Sequence, residues 1–488
     1  MRQRLIFFTC CMMTLIFGAL MLIPGFVDLQ TDNEISAQCF FICGTFTILI
    51  GALGALLSYQ PFEEKPGVKE MFALTSLIWM TMSFIGALPL YFSGFSISFT
   101  DAFFESVSGF TSTGATILTN LESYPKGLLL WRAMTQWVGG LGIIILAIAI
   151  LPMLQIGGMQ LFATENSDTS GKNAPFIATQ MKNIILLYLA LSFVCAFCLY
   201  IAGMSPFDAA AHMMAAVSTG GFSTYDTSIG HFSGNQAILW ILTFFMTISS
   251  LPLVFTLALL SGHWEKVKND TQVKLFLGLL IVLIIPIAIG MQWLLPDFQN
   301  LGQTLGIFAF QTVSIISTTG FVYEDYTAWG PFFVTFFLFL TVIGGCTGST
   351  AGGIKIFRFA ILFKMLRRHL QLMLTPHAII IPRYNDKPVT ENIIIGVTAF
   401  LTLFLTVAVF STLILSLTGL DFITSFSASL TCLSNVGPGI GSLIGPDQTF
   451  AVLPDTAKWV LSAVMILGRL EMMTIIVLFL PALWKRRS

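Results

Sequence analysis

The sequence predicts an all-α polytopic membrane protein with ten transmembrane helices. Two spans lead, and eight form four repeats of span, pore-type half-helix, turn and span in a pseudo-fourfold arrangement. Three observations carry this prediction. Hydrophobic residues fill 56% of the 488 positions and charged residues only 10%, at a mean hydropathy of +0.86, whereas soluble domains carry about 25% charged residues. Ten apolar runs approach the length of about 20 residues that crosses a bilayer. A short Ser/Thr-Gly turn also returns at wide intervals. Its copies are Thr111-Ser112-Thr113-Gly114-Ala115-Thr116, Val217-Ser218-Thr219-Gly220-Gly221-Phe222, Ser317-Thr318-Thr319-Gly320-Phe321 and Leu433-Ser434-Asn435-Val436-Gly437-Pro438. Aligned on Gly114, Gly220, Gly320 and Gly437, the intervals are 106, 100 and 117 residues, far too long for a solenoid repeat.

The runs lie near 5–27, 36–58, 71–92, 128–154, 181–203, 237–260, 274–295, 331–370 (interrupted), 391–418 and 456–484. Met1-Arg2-Gln3-Arg4 followed by an apolar run to Val27 is longer than a signal peptide's apolar core of about 7–15 residues. No small-x-small cleavage site follows it, so it reads as the first span. Four shorter segments, 99–112, 206–218, 304–317 and 421–434, precede the turns. About 13 residues of helix at 1.5 Å per residue reach roughly 20 Å, half the membrane. The organisation expected is two leading spans over 1–69 and pore repeats over 70–155, 180–262, 272–370 (with the interrupted second span) and 388–488.

Charge placement tests this topology. With both termini cytoplasmic, 19 of the 23 Lys and Arg residues fall inside, leaving Lys126, Arg132, Lys458 and Arg469 elsewhere. This is the positive-inside bias. It puts all four half-helices on the outer side, beside Asp226, Glu324, Asp325, Asp447 and Asp455. Such an acidic mouth raises the local cation concentration, although outer loops are often acidic for other reasons. The connections near 155–180 and 371–390 are too short to fold alone. The clusters Arg367-Arg368-His369 and Lys485-Arg486-Arg487 read as topology anchors or lipid contacts, with docking of a cytosolic partner as the alternative. The eight cysteines, including the Cys195-Phe-Ala-Cys198 pair, read as small apolar packing residues.

An unpaired carbonyl in hydrocarbon costs several kcal/mol, so non-helical backbone at membrane depth must be buried in protein or line a cavity. Carbonyls aimed at a dehydrated cation meet that requirement, and rings of them make a cation-selective filter. The candidate ligands are Ser112, Thr113 and Gly114; Thr219 and Gly220; Thr318, Thr319 and Gly320; and Asn435, Val436 and Gly437, acting mainly through their backbone. The negative dipole ends of the half-helices face the ion. Asp101, Asp208 and Asp421 suit N-caps at the helix starts, and the third unit has no acid there. The cargo this reading points to is the potassium ion.

The second span of the third unit is broken by Gly344-Gly345-Cys346-Thr347-Gly348-Ser349-Thr350-Ala351-Gly352-Gly353, a poor helix former. The segment from Gly345 to Gly353 reads as a gate below the filter, and close packing through Gly348-x-x-x-Gly352 is the alternative. Arg469 sits halfway along the last span, where a charge is costly and marks a functional pathway by default. It reads as an electrostatic barrier in the pore, or as a structural partner of a loop carbonyl or a neighbouring acid. Lys355 and His212 are weaker candidates, His212 reading as a satisfied buried histidine. Gly139-Gly140-x-Gly142 lies in a span with no soluble fold after it and is not a dinucleotide motif. No His-Glu-x-x-His helix, paired intramembrane aspartates or serine with a matching base is present, so an enzyme is not expected.

Phe104 to Thr116, Val217 to Ser223, Ser317 to Phe321 and Asn435-Val436-Gly437-Pro438-Gly439 resemble the four pore loops of the Trk/Ktr/HKT superfamily of potassium transporters. Within it, the chain resembles the bacterial Trk-type membrane subunit over nearly its whole length, leading spans included. The resemblance implies potassium uptake across the bacterial inner membrane through one pore per subunit. It also implies a homodimer that binds a cytosolic regulatory subunit using ATP or NAD, and a gate made by the glycine-rich loop and Arg469. With no ATP-binding motif in this chain, nucleotide dependence belongs to that partner, and nucleic acid has no role. Each turn has a single filter glycine, which implies weaker discrimination against sodium than a TVGYG filter gives. Glycine rather than serine at 114 favours potassium by analogy with plant relatives. The competing mechanism is a symporter coupled to protons or sodium, which the few intramembrane acids, mainly Glu105 and Glu471, disfavour.

Overall fold

The computed structural model describes residues 3–59, 67–147, 174–295, 298, 300–385 and 387–481. Two long antiparallel helices lead, α1 (Gln3–Gln30) and α2 (Glu34–Ser58). Small residues let their backbones touch: a Cβ on Gly18 would meet the Gly44 carbonyl at 2.8 Å, and one on Gly51 would meet the Leu15 amide at 2.5 Å. Close approach through small residues is how helices pack in lipid, where no hydrophobic force drives them together.

Four units follow. The first has α3 (Val68–Phe92), the half-helix α4 (Phe99–Phe110) and α5 (Lys126–Ile145). The second has α6 (Ala174–Ile201), the half-helix α7 (Pro206–Val217), α8 (Gln236–Ser249) and α9 (Leu253–Leu260). A short α10 (Trp264–Asn269) leads to the third, α11 (Thr271–Leu294), the half-helix α12 (Leu301–Ile316), α13 (Pro331–Leu340) and α14 (Ile356–Leu374). A two-stranded ribbon, β1 (Arg383–Tyr384) and β2 (Lys387–Pro388), precedes the fourth: α15 (Glu391–Leu417), the half-helix α16 (Phe422–Ser434), α17 (Asp455–Arg469) and α18 (Met473–Ile476). Among the described residues, seven helices are long and apolar enough to cross a membrane, or nine if each of two bent pairs is one span. The chain is therefore a multi-pass membrane protein.

Burial sorts the helices. The most apolar window of α5 is 72% buried and that of α11 only 22%, so α5 is an inner helix and α11 an outer one. The half-helices are the most enclosed, with Phe104, Phe110, Phe308 and Phe310 among the largest side chains lost from the surface.

Two spans expected to be continuous are sharply bent. The run near 237–260 turns by 105° between α8 and α9, and the run near 456–484 turns by 102° after α17. Pro252 opens α9 and has no amide to carry a helix through. In the last span Glu471 and Met472 take positive φ (59° and 36°), a conformation that ends a right-handed helix. The helix starts also differ from expectation. Ser98 and Ser205 are the N-caps, their hydroxyls accepting the Asp101 and Asp208 amides at 3.1 Å and donating to the Asp101 and Asp208 carboxylates at 2.8 and 2.6 Å. Asp101 and Asp208 thus support the caps from the third helical position, binding the cap hydroxyls. Asp421 is a true N-cap, accepting the Thr424 amide at 3.1 Å, and Asn300 supplies the cap of the third unit. Arg2, Lys65, Lys172, Lys485 to Arg487, the end of the run 128–154 and most of 155–180 lie outside the described residues.

Candidate cation-conduction site

Each half-helix ends on the same backbone turn. A left-handed residue stands at the end of each: Ser112 (φ 49°), Thr219 (53°) and Thr318 (58°) just after the C-cap, and Asn435 (56°) as the C-cap itself. The next amide reaches back five residues, Thr113 to Ser108, Gly220 to Ala215, Thr319 to Ser314 and Val436 to Thr431, at 2.8–2.9 Å. This Schellman closure satisfies carbonyls that a helix end leaves exposed. Glycine usually takes the left-handed place, and a β-branched residue there is a genuine outlier, costing of order 1–3 kcal/mol. The side chains at three of these four positions are tied to neighbouring segments. Thr318 Oγ1 accepts the Gly352 amide at 2.6 Å, Asn435 Nδ2 donates to Thr113 Oγ1 at 2.9 Å and to the Met465 carbonyl at 3.0 Å, and Ser112 Oγ accepts from Arg469 Nη2 at 3.2 Å.

Two residues past each left-handed residue stands a glycine with positive φ: Gly114 (81°), Gly221 (79°), Gly320 (79°) and Gly437 (106°). The glycine of the second turn is therefore Gly221, and Gly220 takes the place held by Thr113, Thr319 and Val436. A Cβ on Gly114 would strike the Gly220 carbonyl oxygen, one on Gly221 that of Thr319, one on Gly320 that of Val436, and one on Gly437 that of Thr113. The contacts run from turn one to two, three, four and back to one. Four carbonyls, those of Thr113, Gly220, Thr319 and Val436, are thus interleaved with four glycine Cα atoms in a closed cycle that admits no side chain.

Above the cycle opens a cavity of about 220 Å³ lined by the four glycines and by Asp226 and Asp447. Asp226 also accepts the Asn120 and Leu121 amides at 2.7 and 3.0 Å, binding turn one to turn two. Partial burial and the nearby Asp325 carboxylate push the Asp447 carboxyl above the usual carboxylate range. Glu324, Asp325 and Asp455 do not line this cavity; Glu324 accepts from the Trp329 indole, and Asp325 accepts from Thr327 within its own turn.

Below lies the glycine-rich loop. Residues 341–355 are not helical, so Gly348 and Gly352 do not act as a helix-packing pair. The loop is pinned at the bend of α8, where the Cys346 amide donates to Ser250 O at 2.8 Å and the Thr350 amide to Ser249 O at 3.3 Å. Gln272 of α11 accepts the Thr347 amide at 3.0 Å. Thr350 Oγ1 reaches Val217 O at 3.3 Å, ahead of turn two, Gly352 bonds Thr318 of turn three, and a Cβ on Gly352 would strike Ser434 O ahead of turn four. Arg469, buried at the end of α17, completes the set: Nη1 donates to Thr350 O at 2.9 Å and Nη2 to Ser112 of turn one. Of the two readings for its partner, the loop carbonyl is the one realised. Glu471 instead pairs with Arg358 in the first turn of α14, and Lys355 Nζ donates to Ala351 O inside the loop. Gly345, Cys346, Thr347, Ser349, Thr350, Ala351 and Gly352 are buried, and Gly348 and Gly353 partly so.

This is the architecture of known transport proteins. The TrkH family, described as cation transport protein, matches residues 36–294 and 299–486. The chain belongs to that family. A Trk system potassium uptake protein, TrkI, of Halomonas elongata is 41% identical over 97% of this chain and 95% of its own. The Trk system potassium uptake protein TrkH of Escherichia coli is 36% identical over 97% and 98%. The crystal structure of the potassium transporter TrkH from Vibrio parahaemolyticus superposes with a TM-score of 0.90 at 32% identity, covering 99% of this chain and all of that one. The family is one of transport proteins, not enzymes.

Sequence reasoning missed two residues that hold turn two of this TrkH-family chain. Gln136 of α5 donates to the Gly220 carbonyl at 2.6 Å and accepts the Phe222 amide at 3.0 Å, bracketing Gly221. Arg132, one turn earlier, pairs with buried Glu105 at 2.7 Å, donates to Ser223 O at 3.1 Å and stacks over Phe222 at 4.2 Å. The signal was available: an arginine and a glutamine four apart share one helix face, and polar groups in an apolar span are rarely idle. His212 is satisfied at both ring nitrogens, and all eight cysteines are free thiols.

Proposed function

We propose that this chain takes up potassium across the bacterial inner membrane through a channel-like pore, one per subunit. The single observation that carries the reading is the closed cycle of four backbone carbonyls interleaved with four glycines. Carbonyl oxygens only accept, and a ring of them replaces a cation's hydration shell. In this reading Ser112, Thr113 and Gly114, Thr219 with Gly220 and Gly221, Thr318 to Gly320, and Asn435 to Gly437 form the filter around a pseudo-fourfold axis. The ten spans are the seven long helices, the two bent pairs, and the interrupted pair α13 and α14. The relatives' role as potassium uptake proteins, given in their names, supports the cargo.

The loop from Gly345 to Gly353 and Arg469 act as the gate. Arg469 brings a buried positive charge between the filter and the cytoplasm, which repels cations as long as it bonds the loop. Inward flow then needs only the membrane potential, worth about 2.3 kcal/mol per charge per 100 mV. Both termini are cytoplasmic, the functional unit is a homodimer, and a cytosolic nucleotide-binding (ATP or NAD) subunit of the Trk system releases the gate. In this reading the nucleotide site belongs to that partner.

The test is cation flux through purified protein in liposomes under imposed potassium and sodium gradients at fixed pH. It compares wild type, a Gly348–Gly352 deletion and Arg469→Ala. Flow down the gradient without a coupling ion, increased by both changes, is the expected result. A strict requirement for a proton or sodium gradient replaces the pore with a symporter, and absence of flux in every variant overturns the carbonyl filter.

A further inference from the structure

One polar side chain stands nine residues before the positive-φ glycine in each of the first three turns: Glu105, His212 and Gln311. They share no chemistry and form no motif, yet all three are buried and reach the same place, the second or third residue beyond the glycine on the outer limb of the turn. Glu105 accepts the Ile117 amide at 2.9 Å and the Thr116 hydroxyl at 2.9 Å. His212 Nε2 meets Ser223 Oγ at 2.9 Å, and Gln311 Oε1 accepts the Tyr323 amide at 3.2 Å. The fourth unit has Ala428 at the matching position and achieves the same link from one residue earlier. There Ser427 Oγ accepts the Ile440 amide at 3.1 Å and donates to the Ile440 carbonyl at 2.6 Å.

The polarity of the second link follows from its partners. His212 Nδ1 faces the Asp208 carbonyl at 2.8 Å, which only accepts, so Nδ1 carries the proton. Nε2 is then an acceptor, and the Ser223 hydroxyl donates to it. Ser223 in turn accepts the Tyr225 amide at 3.1 Å, and its carbonyl takes Arg132 Nη1, the partner of Glu105. The braces of turns one and two therefore meet at one residue.

We propose that Glu105, His212, Gln311 and Ser427 are positioning residues for ion selection: each ties the half-helix to the outer limb of its turn and so fixes the distance across the carbonyl ring. Selection between cations of different radius depends on holding that distance, and a turn released from its brace relaxes around the smaller ion. The inference rests on the filter reading above. Gln311 shows that an amide serves where His212 stands, so the braces are interchangeable in kind.

The experiment measures the potassium-to-sodium permeability ratio of the purified full-length protein in liposomes. The variants are His212→Ala, Ser223→Ala, the double variant and His212→Gln, with thermal melting of each recorded in detergent. The ratio is expected to fall about fivefold to tenfold in either alanine variant, the size of one lost buried hydrogen bond. The double variant should fall no further, and His212→Gln should stay within about twofold of wild type. A merely structural role lowers the melting temperature and total flux but leaves the ratio alone, and that outcome overturns the proposal. If His212→Ala does not fold, Ser223→Ala, which leaves the half-helix untouched, decides alone. An unselective wild type sinks the filter reading itself, whereas a selective wild type with unchanged variants sinks only the brace.

Discussion

Adjacent glycines at 220 and 221 give the sharpest test of the ring. Gly221 has φ near 79°, and a Cβ there would collide with the Thr319 backbone carbonyl. Gly220 has no such φ, and the atoms nearest a Cβ there are those of the Gln136 amide at 2.5–2.8 Å, the end of a flexible side chain. Gly221→Ala therefore costs about 1–2 kcal/mol for the left-handed conformation plus about 1–3 kcal/mol for overpacking. It also displaces a carbonyl of the ring. Gly220→Ala costs at most the two Gln136 hydrogen bonds, about 1 kcal/mol each. At 1.4 kcal/mol per tenfold, Gly221→Ala is expected to reduce selective potassium flux by about 30-fold to about 4,000-fold, towards the upper end because a ring carbonyl moves, and Gly220→Ala by about 30-fold or less. The assay is potassium-driven flux in liposomes with sodium competition at matched protein density. If Gly220→Ala is the more damaging of the two, the register of the second turn and the closed cycle drawn from it are wrong.

Three further outcomes follow from the geometry. Glu471→Gln removes the carboxylate from a buried pair with Arg358, and losing one partner of such a pair typically costs about 3–5 kcal/mol, so a large drop in melting temperature is expected. Asp447→Asn should slow uptake at low external potassium and low ionic strength, and the difference should shrink above about 0.1 M salt, where the Debye length is about 10 Å. Because burial and Asp325 raise the Asp447 carboxyl, the wild type neutralises it at higher pH than an ordinary carboxylate. Wild type and Asp447→Asn should therefore converge as external pH falls, and divergence would speak against a role for its charge. Asp421→Ala removes the cap of the fourth half-helix and should cost about 1 kcal/mol, read as a small loss of thermal stability with selectivity retained.

The half-helices were legible because their ends are written locally. A Ser or Asn/Asp start, a short apolar stretch and a small-residue turn bound them, and the observed ends at 110, 217, 316 and 434 fall within two residues of those expected. The register of turn two was not legible, since Gly220 and Gly221 are equivalent in sequence and only contact with Thr319 decides which adopts positive φ. The bends after α8 and α17 were hidden for a similar reason. Hydropathy runs straight through Pro252 and Glu471, while tertiary contacts with the loop reward the break. Arg469 was conspicuous as a charge in an apolar run, but its bond to Thr350 joins residues 119 positions apart. The braces were invisible because four different side chains do one job.

The ring of carbonyls has a genetic consequence. In a pore assembled from four copies of one chain, any codon change in the filter is made four times at once. Here the four quarters are separate stretches of one gene, so a substitution alters one quarter and leaves three intact. Under the filter reading proposed above, preference among ions can then be adjusted in quarter-steps. The unlike side chains at 105, 212, 311 and 427 show how far the quarters already differ.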